Sequence, residues 1–261
     1  MAQLRLSQYD PTLHPGCKNK SDGIELTNIL KKKLYDLLYL MFADGQYSLL
    51  IILQGIDTSG KDGSVRHIFS SANPQGIKVF SFKKPTEKEF RHDFLWRCHV
   101  HTPESGFTTI FNRSYYEEVT TSMIHPELLE EQHIPPEIRE RSDFFEIRYN
   151  RINDFEKLLV EKGTVVVKFF LHISKKEQKK RIEERLKDRS KNWKFSKEDI
   201  KERKHWDEYM TSFEKMIQAT STRHAPWTIV ASDNKWYRNY VISKTLVQEL
   251  EKLKMSFPKA K

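Results

Sequence analysis

The run Tyr47-Ser48-Leu49-Leu50-Ile51-Ile52-Leu53-Gln54 passes directly into Gly55-Ile56-Asp57-Thr58-Ser59-Gly60-Lys61-Asp62-Gly63. A short, nearly unbroken apolar run reads as a strand buried on both faces, the setting of α/β proteins whose sheet is covered by helices on each side. A glycine-framed turn ending in lysine on such a strand is the pattern of a phosphate-binding loop. The glycines let the backbone aim successive N–H groups at an anion, and Lys61 adds a charge for the phosphate nearest the reaction. Residues 65–70 are compatible with the helix that the pattern requires next. The candidate phosphate contacts are Gly55, Thr58, Ser59, Gly60, Lys61, Asp62 and Gly63, and the chain is a candidate for phosphoryl transfer. One position departs from the pattern. Asp62 stands where a serine or threonine hydroxyl usually meets Mg2+, so the metal must draw its oxygen from elsewhere, and Asp57 is the nearest carboxylate.

Four further segments, 76–82, 108–112, 164–171 and 227–231, have the composition of strands. Their alternation with helical segments predicts an α/β fold around a mostly parallel sheet buried on both sides. A chain of 261 residues that is 38% hydrophobic can cover such a sheet. Leu26, Leu34, Leu37 and Leu38 recur at helical spacing and predict a helix over 24–42, ended by Asp44-Gly45 before the first strand. Val241, Leu246, Leu250 and Leu253 predict a packing helix over 237–253. Residues 1–24 are polar and broken by Pro11, Pro15 and Gly16; they predict an arm lying on the body or on a neighbouring subunit, with 25–261 as one domain. Ligands of parallel sheets gather at the carboxyl ends of the strands, where Asp57, Asn112, His172 and Asp233 fall.

Between residues 174 and 213 the composition turns densely charged, with Trp193, Phe195, Trp206 and Tyr209 interspersed. The break Asp188-Arg189-Ser190-Lys191-Asn192 predicts a hairpin of two helices, a lid over about residues 175–213 able to close on the loop. Arg181 and Arg185, four apart, share a helix face, and a guanidinium fork suits phosphate oxygens. Lys194 at the hairpin can reach a chain of phosphates. Taken singly these are solvated helix-face cations; as a group beside a phosphate loop they are candidate polyanion contacts. A second element, Phe111-Asn112-Arg113-Ser114-Tyr115-Tyr116-Glu117, is a strand end opening into a helix. It offers Arg113 to the transferring group and Asn112 to a metal-bound water, while Asp57 and Glu117 supply the carboxylates. The plainer reading has Asn112 capping the following helix and Glu117 on the surface. His99 and His101 have the spacing of a metal pair, but no third ligand is placed and phosphoryl transfer uses oxygen-ligated Mg2+. His172 and Asp233 read as satisfied polar strand ends.

The 45 Lys and Arg against 36 Asp and Glu, a net charge of +9, favour a polyanionic partner: nucleic acid, a polyphosphate or an anionic membrane. Glutamates mixed into the charged hairpin and the lack of a base-reading motif weigh against nucleic acid. No apolar run approaches the roughly 20 residues that a membrane helix needs. Cys17 and Cys98, far apart and outside any CxxC, predict free thiols in a reducing, cytoplasmic compartment.

The loop at 55–63, the element Phe111-Asn112-Arg113-Ser114-Tyr115-Tyr116-Glu117, the piece Lys191-Asn192-Trp193-Lys194-Phe195-Ser196 and the stretch from Ala225-Pro226-Trp227 through Ser232-Asp233-Asn234-Lys235-Trp236 together resemble, in the same order, the polyphosphate kinase 2 family. The resemblance covers about residues 20–255. It implies a P-loop kinase-like three-layer sandwich with a helical lid, and transfer of the terminal phosphoryl group of inorganic polyphosphate to ADP or AMP with Mg2+. By position it makes Asp57 and Lys61 the metal-linked acid and the phosphate lysine, Arg113 the second-motif cation, and Arg181 and Arg185 the lining of the polyanion path. Many relatives carry aspartate where this chain has Asn112. The Asn form followed by Tyr-Tyr-Glu resembles the subgroup that accepts nucleoside monophosphates as well as diphosphates, with Glu117 compensating for the lost charge. Guanine nucleotides are a further acceptor class, and relatives suggest a homo-oligomer. An ATP-dependent nucleotide or small-molecule kinase shares the loop and the lid and is the competing expectation; a nucleic-acid-binding module with a vestigial loop is the other.

Overall fold

The computed structural model describes residues 3–190, 192–194 and 197–259, without the side chains at 194 and 197–199. Five strands, β1 (Ser48–Gln54), β2 (Ile77–Ser81), β3 (Thr108–Asn112), β4 (Thr164–His172) and β5 (Trp227–Ala231), fall on the five predicted runs. They form one sheet in the order β2-β3-β1-β4-β5, and every pair is parallel. The helices of eight residues or more among the described residues are α1 (Lys20–Asp44), α2 (Lys61–Ile68), α3 (Glu117–Ile124), α4 (Phe144–Glu161), α5 (Lys175–Lys187), α6 (Trp206–Thr220) and α7 (Lys235–Leu250).

Period-two alternation divides β1 between two cores. Leu49, Ile51 and Leu53 pack with Leu34, Leu38 and Met41 of α1 and with Ile242, Leu246 and Leu250 of α7. Leu50 and Ile52 point the other way, into Val119 of α3, Ile152 and Phe155 of α4, and Phe213 and Met216 of α6. Each such side chain contributes about 1.5–3 kcal/mol of transfer free energy, which is why a strand so apolar must lie at the centre of the sheet. The chain leaves β1 for β2 and β3 on one side and crosses to β4 and β5 on the other, so the connections diverge at the end of β1 and open the crevice where α/β sheets bind ligands. Leu53 is in register with Asn112 and with Phe169, so the loop after β1 starts level with the element after β3.

The predicted arm is shorter than expected, because Asn19 caps α1 by accepting the Asp22 N–H. It lies on its own body: Leu6 is buried and its N–H reaches Glu214 of α6, Pro11 accepts from the Asp233 N–H, and Pro15 accepts from the Tyr237 hydroxyl. The charged segment is helical on both sides of the anticipated break: α5 ends at Lys187, a short helix spans Lys197–Glu202, and α6 runs on to Thr220, past the expected end of the lid; part of the break itself lies outside the described residues. The last helix spans Lys235–Leu250, a few residues earlier than predicted. No helix among the described residues is long and apolar enough to cross a membrane.

Candidate functional site

At the end of β1 the backbone turns through Gly55 at φ 146°, Thr58 at φ 67° and Gly60 at φ 109° before α2 begins at Lys61. Only glycine fits the first and last: a Cβ on Gly55 would stand 2.7 Å from the Leu171 carbonyl oxygen, and one on Gly60 would stand 1.8 Å from Nη1 of Arg238. The first turn of α2, whose N–H groups have no partner within the helix, and its positive dipole end therefore lie at the carboxyl end of β1, an arrangement suited to an anion. Lys61 is buried and folds back over the loop, donating from Nζ to the Gly55 carbonyl at 2.6 Å and the Ile56 carbonyl at 3.4 Å. Burial and the Arg113 charge lower its pKa, against the opposing pull of Asp57, Glu117 and Asp62. Three carboxylates and two cations thus converge on one point.

The element after β3 supplies the facing wall. Arg113 sits at φ 62°, and its guanidinium donates to Asp57 Oδ1 at 2.5 Å. Glu117, then Asp57, hold the guanidinium charged. Burial raises the Asp57 carboxyl, but Arg113, Lys61 and Arg185 outweigh it and keep the group below the ordinary range. Asn112 does not cap α3, whose N-cap position belongs to Tyr116. Its amide instead donates to Asp62 Oδ1 at 2.6 Å and to Ser81 Oγ at 3.3 Å. The acid at the usual hydroxyl position of the loop and the amide at the usual acid position of the strand are therefore hydrogen-bonded partners. Glu117, partly exposed, accepts from the Thr121 hydroxyl.

Arg181 reaches the loop from behind rather than across the crevice. Its five N–H groups go to Glu177 Oε1 (2.8 Å), the carbonyls of Thr58 (2.9 Å) and Ser59 (3.0 Å), and those of Ser232 (2.6 Å) and Asp233 (3.0 Å). This fully satisfied fork clamps the strained Thr58 to the end of β5, a position different from the polyanion path expected for it. Arg185, one turn on and half-buried, acts on the Asp57 carboxylate and lies toward the crevice. Gln178, beside Arg181 on α5, donates to the Asp57 carbonyl. The side chain of Lys194 lies outside the described residues. The two arginines should therefore separate: Arg181→Ala is expected to destabilise the protein by about 2–3 kcal/mol in urea unfolding through orphaned buried carbonyls. Arg185→Ala is expected to cost less than about 1 kcal/mol of stability and to raise the KM for polyphosphate about fivefold. Identical effects of the two on KM would contradict the assignment.

A buried polar network underlies the second element. Lys168 of β4 and Glu156 of α4, both fully buried, pair at 2.7 Å. Nζ of Lys168 also donates to the Tyr116 hydroxyl (2.9 Å) and the Thr220 carbonyl (2.7 Å), and Glu156 Oε1 accepts from both Tyr115 (2.8 Å) and Tyr116 (2.7 Å). These bonds fix the tyrosines directly after Arg113 and its left-handed backbone. The sequence reading missed Lys168, Glu156, Gln178 and Arg238; a lysine inside the apolar run 164–171 was the one visible clue. His99 and His101 pack against different rings, Phe155 and Phe80. The Asp233 carboxylate accepts the Ser174 N–H and hydroxyl, both at 2.8 Å, as a satisfied strand end. His172 is buried with Nδ1 unpaired.

Comparison with known proteins adds three findings. The sequence profile of the polyphosphate kinase 2 family matches residues 18–258. The chain is 41% identical to the ADP-polyphosphate phosphotransferase of Rhodopseudomonas palustris, covering 98% of this chain and 89% of that one, and 38% identical to the AMP/ADP-polyphosphate phosphotransferase of Meiothermus ruber, covering 98% and 92%. The crystal structure of polyphosphate kinase 2 from Arthrobacter aurescens superposes with a TM-score of 0.91 at 39% identity, over 100% of this chain and 89% of that one.

Proposed function

The chain belongs to the polyphosphate kinase 2 family, and on that premise we propose that it moves the terminal phosphoryl group of inorganic polyphosphate onto ADP, and onto AMP. The observation that carries this reading is the pairing of Arg113 with Asp57 across the mouth of a lysine-tipped loop, in a chain whose charged helix α5 also reaches that loop through Gln178 and Arg181. The loop N–H groups hold the phosphate at which transfer occurs, and Lys61 exchanges the Gly55 and Ile56 carbonyls for its oxygens. Arg113 exchanges Asp57 for the transferring group. Transfer passes through a loose transition state with charge spread over three oxygens, so positioning and charge supply most of the catalysis. The acceptor is a phosphate oxygen already ionised at neutral pH, and no general base is needed. Arg185 and the hairpin grip the polyanion without regard to sequence, a hold that weakens with salt.

Mg2+ is part of this proposal. Among the described residues no ready cage of three or more metal-ligating side chains exists, which suits an ion that takes one or two carboxylates and fills its shell with water and substrate phosphates. The partly exposed Asp57 carboxylate and the exposed Asp62 carboxylate fit that role, with Asn112 orienting Asp62. When bound, the ion neutralises charge on the phosphates that Lys61 and Arg113 grip.

The direct test supplies polyphosphate, Mg2+ and AMP, ADP or GDP with no ATP. ADP formed from AMP and ATP formed from ADP are the expected products, and the GDP arm asks whether guanine is accepted. Transfer that requires ATP as donor would replace this reading with the ATP-dependent kinase.

A further inference from the structure

Arg238 lies in the first turn of α7, far in sequence from the loop, and only 3% of it is exposed. Its guanidinium rests directly beneath the loop: a Cβ on Gly60 would stand 1.8 Å from Nη1 and 2.8 Å from Cζ, and one on Gly63 would stand 3.5 Å from Nη2. The two glycines flanking Lys61 and Asp62 thus lie against it. Its hydrogen bonds are few. Nε and Nη2 share a single acceptor, Asn239 Oδ1, at 3.3 and 3.0 Å, and Nη1 reaches the Ser59 carbonyl at 3.5 Å. Arg181, its neighbour, has five bonds, one of them to the Glu177 carboxylate, and buried Arg97 has Glu118. Among the described residues no carboxylate pairs with Arg238. Burial and the Arg181 charge lower its pKa to about 9.

A buried guanidinium without a counter-ion is a burden on the empty fold. Here it stands on the underside of an anion site. Ser59 O accepts from both Arg181 and Arg238, and because the peptide is planar and trans, the Gly60 N–H on the same peptide is directed to the opposite side, toward the crevice. Two cations drawing on that oxygen also strengthen the N–H as a donor.

We infer that Arg238 is the buried counter-charge of the phosphate held by the loop, a positioning residue that acts through the Ser59-Gly60 peptide and whose own anion arrives with the substrate. The inference rests on the proposed phosphate binding at the loop. It assigns part of the grip on polyphosphate to the C-terminal helix, outside the loop and the hairpin.

The test compares wild type with Arg238→Gln, which keeps a donor for Asn239 but removes the charge, and with Arg238→Lys, which keeps the charge. Melting temperature without ligand, and calorimetric affinity for inorganic tripolyphosphate with Mg2+, are measured for each. Arg238→Gln is expected to melt at or above the wild-type temperature while binding tripolyphosphate about tenfold more weakly. Arg238→Lys is expected to stay within about threefold of wild type. A structural role would lower the unliganded melting temperature in Arg238→Gln or prevent its folding, and either result overturns the inference, as does wild-type affinity in that variant. If Arg238→Lys binds as weakly as Arg238→Gln, the charge is not what matters and the inference also falls. Mg-ATP is titrated in parallel. A wild type that binds ATP and ignores tripolyphosphate refutes the polyphosphate reading alone, and the same comparison of variants is then made with ATP.

Discussion

Lys61→Ala is expected to lower the rate of polyphosphate-driven ATP formation by about a thousandfold or more while the protein remains folded. Lys61 follows directly on Gly60, whose left-handed backbone places the lysine at the start of α2, and its buried ammonium lies across the loop on two carbonyls. Among the described residues no other lysine makes these bonds, and no carboxylate fixes Lys61 there by a hydrogen bond. Its removal breaks the two carbonyl bonds but also removes a buried ammonium whose charged form burial disfavours, and the two effects oppose each other, so the melting temperature should move little. Arginine should not rescue, because a planar fork cannot occupy the tight turn that a compact ammonium fills. Wild-type turnover in a correctly folded Lys61→Ala protein would overturn the role given to the loop.

The largest effect on stability is expected at Lys168. Lys168→Met should cost about 3–5 kcal/mol in urea unfolding, because it strands the fully buried Glu156 carboxylate with only two tyrosine hydroxyls. Burial lowers the Lys168 pKa against the pull of Glu156, and burial together with Glu156 raises Tyr115 and Tyr116 well above the ordinary phenol range, as befits donors to a retained carboxylate. The double variant Lys168→Met with Glu156→Leu removes both charges and is expected to recover most of the loss, since apolar replacement of a buried pair is often neutral. Activity should not recover with it. Tyr115 and Tyr116 then lose the bonds that hold the chain beside Arg113, and a small displacement of a positioning group is felt steeply in rate. Equal destabilisation by single and double variants would show that the pair is not a closed unit.

The sheet was legible because its strands are either wholly buried or bounded by turn residues, so their apolar runs stand out. The exception inside one of them, Lys168, did not disguise β4, since its neighbours Val166, Val167, Phe169 and Phe170 kept the run intact. Helix α4 was not legible. Two of the positions it buries are Arg148 and Glu156, and charged residues at core positions erase the spacing that marks an amphipathic helix. The loop and the second element could be read as a site because their motifs are local. The back of the site could not, because its residues come from α4, β4, α5 and α7 and meet only in three dimensions. Arg181 shows the limit most plainly: its place on a charged helix suggested a face turned to substrate, whereas its fork is spent on backbone carbonyls whose positions depend on the fold. The Asp62 departure from the usual loop, visible in sequence, gained a meaning only when Asn112 proved to be its partner.

The most direct test of the account follows polyphosphate and nucleotide together by phosphorus NMR, with ADP and Mg2+ and no ATP, in wild type and in Lys61→Ala. The account expects the γ-phosphate of ATP to appear in step with shortening of polyphosphate from its ends, without release of free phosphate, and neither change in the variant. ATP formed at the same rate by Lys61→Ala, or a wild type that leaves polyphosphate intact while ADP stays unphosphorylated, would contradict it.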